Sequence, residues 1–113
     1  MSTNALIAYK NEKGNYNINS IHWDGYIEGG VGQTLIEDWK NPLDIQRICK
    51  ANEIRCLGPS YNESEFFDTW TLKNRRNVSF DKLCNISGNY EYTYVYEDNM
   101  WRLLKAGALT KYM

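Results

Sequence analysis

Tyr90-Glu91-Tyr92-Thr93-Tyr94-Val95-Tyr96-Glu97-Asp98-Asn99-Met100-Trp101-Arg102-Leu103-Leu104 is the stretch on which the fold turns. Tyrosines alternate with Glu91, Thr93, Val95 and Glu97, a period of two that belongs to an extended strand. Asp98-Asn99 suits a two-residue turn, so the chain is predicted to return through Met100 to Leu104. That register sets Tyr96 opposite Trp101 and Tyr94 opposite Leu103, and gathers the tyrosines, Trp101 and Leu103 on one face. Tyr94 and Tyr96 are expected in the core, and Tyr90 and Tyr92 nearer an open end.

A second hairpin is predicted at the other end of the chain. Ala5 to Lys10 reads as a strand, Asn11 to Asn15 as a glycine-bearing turn, and Tyr16 to about Trp23 as the returning strand. Val31, Leu35, Ile36 and Trp39 then fall at helical spacing and predict a helix from about Val31 to Lys40. Asn41 and Pro42 suit an N-cap and first helical position, and Ile45, Ile48 and Cys49 form an apolar stripe reaching about Ala51. Phe66 to Leu72 is β-prone, and Ser79 suits the cap of a short helical turn carrying Phe80, Leu83 and Cys84. The expected fold class is α+β: an antiparallel sheet of about four to five strands with two helices packed on one face, in one domain over residues 1–113.

The bulk composition narrows the function. With 113 residues, 42% apolar and 14% aromatic, the chain has the makings of one packed core. A net charge of −1 argues against non-specific duplex binding, and no stable nucleic-acid partner is expected. Cys49, Cys56 and Cys84 are odd in number and show no C-x-x-C, so neither a disulfide framework nor a zinc site is indicated. The first residues lack the pattern of a secretory signal and no segment is apolar enough to span a bilayer, which points to a cytoplasmic protein with no membrane partner.

Between the second strand and the first helix lies the best candidate site, His22-Trp23-Asp24-Gly25-Tyr26-Ile27-Glu28-Gly29-Gly30-Val31-Gly32-Gln33. It holds the only histidine and four of the eight glycines. Glycines before a helix start let backbone approach a ligand, and the first turn offers N–H groups to an anion. The helix start from Gly29 to Gly32 would meet a phosphate or carboxylate through the amides of Gly30, Val31 and Gly32, with His22, Tyr26 and Gln33 donating from the sides. Neither G-x-x-x-x-G-K-[ST] nor G-x-G-x-x-G occurs, and the plainer alternative is a tight turn at Asp24-Gly25 with Gly29-Gly30 as a flexible entry to the helix.

Arg75 and Arg76, with Lys73 and with Lys50 and Arg55 as possible neighbours, are the concentrated positive charge and suit phosphate recognition; a solvated loop is the alternative. Trp23, Tyr26 or Tyr92 would stack a base. His22 and Asp24, two apart on one strand, would point the same way about 7 Å apart. No second histidine and no nucleophile elbow accompany them, so no catalytic residue, metal ligand or cofactor is assigned.

The N-terminal third resembles a family of small phage and prophage proteins that begin Met-Ser-Thr-Arg-Ala-Leu-Ile and continue into Cys-His-Trp-Asp-Gly-Tyr-Pro-Glu-Gly-Val-Gly-Lys-Thr-Leu. The corresponding residues here are Met1 to Ile7 and His22 to Leu35, and Glu91 to Trp101 is similar to the family's closing aromatic hairpin. Asn4, Ile21, Ile27 and Gln33 stand where the family has arginine, cysteine, proline and lysine, and one glycine is added at Gly29-Gly30. His22, Trp23, Asp24, Gly25 and Tyr26 match throughout and carry over as site-shaping residues.

The resemblance implies a phage setting, and with it a counter-defence role in the host bacterial cytoplasm. The first expectation is a non-catalytic homodimeric sponge that sequesters a nucleotide-derived immune signal, such as a cyclic ADP-ribose isomer or cyclic oligonucleotide. An alternative is a protein-surface inhibitor of a defence effector such as a CRISPR nuclease, using the tyrosine face with Glu63, Glu65 and Asp68. A second alternative is a small metal-dependent hydrolase built on His22 and Asp24.

Overall fold

The computed structural model describes residues 3–68 and 75–110. Strands β1 (Ala5–Lys10) and β2 (Tyr16–Ile21) form the N-terminal hairpin, in register from Ala5–Ile21 to Lys10–Tyr16. Strands β5 (Tyr92–Glu97) and β6 (Met100–Lys105) form the closing hairpin. Tyr94 pairs with Leu103 and Tyr96 with Trp101, as the alternation predicts. Asp98 and Asn99 at φ 53° and 61° supply the positive-φ pair that a tight hairpin turn demands.

The sheet differs from the expected one in size and sense. It has seven strands in the order β4-β3-β2-β1-β5-β6-β7, with short additions at β3 (Ile54–Cys56), β4 (Glu65–Phe66) and β7 (Ala108–Leu109). It is mixed rather than antiparallel, because β1 runs parallel to β5 and β2 parallel to β3. A parallel pair needs a long crossover. Helices α1 (Val31–Asp38) and α2 (Pro42–Lys50) supply it between β2 and β3. The strand expected over Phe66 to Leu72 is reduced to its first residue within β4, and residues 69–72 lie outside the described residues.

Helices cover both faces instead of one. On one side Val31, Leu35 and Trp39 of the α1 region and Ile45, Ile48 and Cys49 of α2 pack on Ala5, Ile7, Tyr94 and Tyr96. The alternate residues Leu6, Ala8, Ile18 and Val95 face the other way and are covered by Leu83 of a third helix, α3 (Phe80–Ser87). Ser79 caps that helix through its Oγ, which accepts from the Lys82 amide at 3.2 Å. Asn41 caps α2 in the same way, accepting from Leu43 at 2.9 Å. Tyr90 precedes β5 and packs with the α3 core, so it does not share the face of the other tyrosines. No helix among the described residues is long and apolar enough to cross a membrane.

Candidate functional site

The glycine loop is closed on itself by hydrogen bonds. β2 stops at Ile21, and the His22 amide still donates to Ile54 O at 2.8 Å. Asp24 then turns the chain at φ 58°, a left-handed conformation that aspartate tolerates. From there the backbone folds over the start of α1. The amides of Val31, Gly32 and Gln33 donate to the carbonyls of Asp24 (2.7 Å), Tyr26 (3.2 Å) and Ile27 (2.9 Å). Gly25 donates to Thr3 O at 2.7 Å, and the Gly29 amide to the Gln33 side-chain Oε1 at 2.7 Å.

These bonds correct the anion-cradle expectation. Two of the three amides assigned to a phosphate, those of Val31 and Gly32, already serve the loop's own carbonyls. Gln33 points its carbonyl oxygen at Gly29 and its nitrogen at Glu37 Oε1 (3.0 Å), so it does not donate into a site. Gly30 and Gly32 are required for close packing rather than ligand approach. A Cβ on Gly30 would lie 2.5 Å from the carbonyl oxygens of Asp24 and Tyr26, and one on Gly32 would lie 2.9 Å from Ile27 Cα. Tyr94, fully buried, fixes the underside by donating its hydroxyl to Gly25 O at 2.6 Å. Burial raises its phenol pKa well above the ordinary value.

Other expected members are dispersed. His22 and Asp24 do not share an extended strand: the imidazole sits edge-on to Phe67 (5.7 Å, 89°), while Asp24 Oδ1 accepts from Tyr26 Oη at 3.3 Å. Among the described residues no three His, Cys, Asp or Glu side chains gather in a group that could hold a metal ion. Tyr92 lies at the loop's end of the sheet, where Ala5 pairs with it, and stacks on Tyr94 at 6.1 Å and 9°. Tyr94 and Tyr96 are buried beneath α1 and α2, so the tyrosine face is not the outer surface that the inhibitor alternative called on.

Arg75 is an internal clamp. It donates from Nε to Ile18 O (3.3 Å) and from Nη2 to Cys49 O (3.2 Å) and Ala51 O, on the last carbonyls of α2. Asn19, also buried, donates from Nδ2 to Ile48 O (2.9 Å) and Asn52 O (2.9 Å), so two side chains cap one helix end. Arg76 is exposed near the β1–β2 turn, where Asn77 bonds Asn17. The length of β2, about 17 Å at the usual rise, separates that end from the glycine loop. Lys73 lies outside the described residues.

What the loop does present is aromatic. Trp23 is 45% exposed and Tyr26 38% exposed. His22 adjoins them, its ring 6.0 Å from that of Trp23, and Arg55 lies over Phe67 at 5.0 Å. Periodicity gives no warning of this patch. The chain matches no protein-family model, no curated protein and no solved structure.

Proposed function

We propose that this protein is a non-catalytic binding protein whose His22–Tyr26 loop covers a surface on a partner protein. In the phage setting implied by the N-terminal third, the partner is an effector of bacterial defence, such as a CRISPR nuclease. One observation carries the reading: Trp23 and Tyr26 stand exposed on a loop whose backbone is tied down by its own carbonyls. Trp, Tyr and Arg dominate binding hot spots, and a rigid display lowers the entropic cost of contact. Arg55, held over Phe67 beside His22, supplies the third of these residue types.

The test is a plating assay in bacteria that each carry one defined defence system. The wild-type chain is expected to restore phage plating in one of them, and Trp23→Ala/Tyr26→Ala to lose the effect. Losing two exposed anchors should weaken partner binding by about a hundredfold or more, while the melting temperature stays within about 2 °C because neither ring is in the core. Undiminished protection by the double variant would refute the proposal.

Sequestration of a nucleotide-derived signal is the second reading. It draws no support from the glycine loop, and what favours it is a groove at the opposite end of the sheet. A homodimer with paired grooves belongs to that reading, and native mass spectrometry of the ligand-loaded chain tests it.

A further inference from the structure

The carboxyl ends of the parallel strands β1 and β5 open into a groove made of three adjoining hollows. The first, of about 410 Å3, lies among Ile36, Trp39, Met100 and Trp101, with Lys40 at its rim. The last, of about 380 Å3, lies among Lys13, Asn17, Gln46, Lys50 and Arg76. A middle hollow of about 310 Å3 shares Tyr96 and Asn99 with the first and Tyr9 and Asn11 with the last. Rings pave the way between them. Trp101 meets Tyr96 at 5.3 Å, Tyr96 meets Tyr9 at 6.0 Å, and Tyr9 Oη accepts from Gln46 Nε2 at 2.9 Å.

The two ends differ in chemistry. At the first, the indole N–H groups of Trp39 and Trp101 are bonded to Gly58 O and Trp39 O, both at 2.9 Å, and the two buried rings floor the hollow with apolar carbon. Ile36 and Met100 flank it, 43% and 39% exposed. Such a cleft accepts a planar ring. At the far end Lys13, Lys50 and Arg76 face one carboxylate, that of Glu12. Among the described residues the ion pair is Arg102–Asp98, and none of these three cations has a carboxylate within salt-bridge distance there. The Asn11 carboxamide donates to Asn17 Oδ1 and Asn77 Oδ1, the Asn77 backbone amide donates to Asn17 Oδ1, and together they brace that end. In the middle, Glu97 accepts from Tyr16 Oη (2.9 Å) and Asp98 pairs with Arg102; their charge, set against Lys10, directs an anionic group to the far end.

We propose that this groove binds a nucleotide, with the base between Ile36 and Met100 above the buried Trp39 and Trp101, and the phosphates among Lys13, Lys50 and Arg76. Open sheets commonly hold ligands outside the carboxyl ends of parallel strands, and guanidinium and ammonium groups are the natural phosphate partners. The site stands apart from the Trp23–Tyr26 surface and supplies what the sequestration reading needs.

The test is nitrogen–proton correlation spectroscopy of the full chain titrated with ATP, GTP and UTP, and separately with adenosine and tripolyphosphate. The nucleotides are expected to move the indole signals of Trp39 and Trp101 and the amide signals around Lys50 and Asn77, and to leave the indole of Trp23 unmoved. Adenosine and tripolyphosphate alone should each bind at least about tenfold more weakly than ATP, because each engages one end. Lys50→Glu/Arg76→Glu, and independently Lys13→Gln, should weaken ATP binding, the charge reversal by about tenfold or more, with an unchanged melting curve. Trp23→Ala/Tyr26→Ala should bind ATP as the wild type does, which separates this site from the protein-contact surface. Absence of shifts with all three nucleotides at millimolar concentration, shifts confined to the glycine loop, tripolyphosphate binding as tight as ATP, or insensitivity to the charge reversal would each overturn the proposal.

Discussion

Gly30→Val is expected to cost on the order of 3 kcal/mol or more, lowering the melting temperature by about 10 °C or leaving the chain unfolded. The reason is local and geometric. The first carbon of any side chain at Gly30 would meet two carbonyl oxygens at 2.5 Å, and both carbonyls already accept bonds from Val31 and Gly32. Making room means breaking the contacts that hold the loop to α1. Gly29 is the matched control. It has φ +73° and open space around its Cβ position, so Gly29→Ala should cost only about 1 kcal/mol of backbone strain. Thermal denaturation followed by circular dichroism compares the two. An anion cradle would give the opposite pattern, with ligand binding lost at Gly30 and stability kept.

Arg75→Met is the second large effect, expected to cost about 3–5 kcal/mol. Methionine fills much of the same volume but donates nothing, and the carbonyls of Ile18, Cys49 and Ala51 would each lose a donor inside the core. Burial lowers the Arg75 pKa, the mark of a guanidinium placed for structure rather than for solvent. Arg76→Met, one residue on and exposed, should change stability by less than about 0.5 kcal/mol. Urea unfolding of both variants reads the contrast. Equal losses at the two positions would contradict the assignment.

These two neighbours show where sequence reasoning stops. Adjacent arginines look alike in one dimension, and only a distant pairing, Ile18 N to Arg75 O, turns one inward beneath α2. Local patterns are legible: the tyrosine alternation fixes the β5–β6 register, and Asn41-Pro42 and Ser79 mark helix starts. The relation between the hairpins is not, because β1 and β5 pair across more than eighty residues of chain and no local pattern encodes their parallel sense. Strands as short as Ile54–Cys56 and Ala108–Leu109 carry no period to read. The glycine loop stands out in the sequence as unusual, but the reason for its glycines does not. Glycines that admit a ligand and glycines that admit the chain's own carbonyls leave the same mark in a sequence. The groove is invisible for a related reason. Its parts, Trp101, Tyr96, Tyr9, Lys50 and Arg76, come from four regions joined only by the fold.

Hydrogen exchange resolved by residue tests the self-bonded loop most directly. The amides of Gly25, Val31, Gly32 and Gln33 should exchange slower than in an unstructured chain by on the order of a thousandfold or more, and added inorganic phosphate should leave their chemical shifts in place. Exchange at the free-chain rate, or phosphate-induced shifts at Val31 and Gly32, would contradict that closure and mean that the loop is open and awaits an anion.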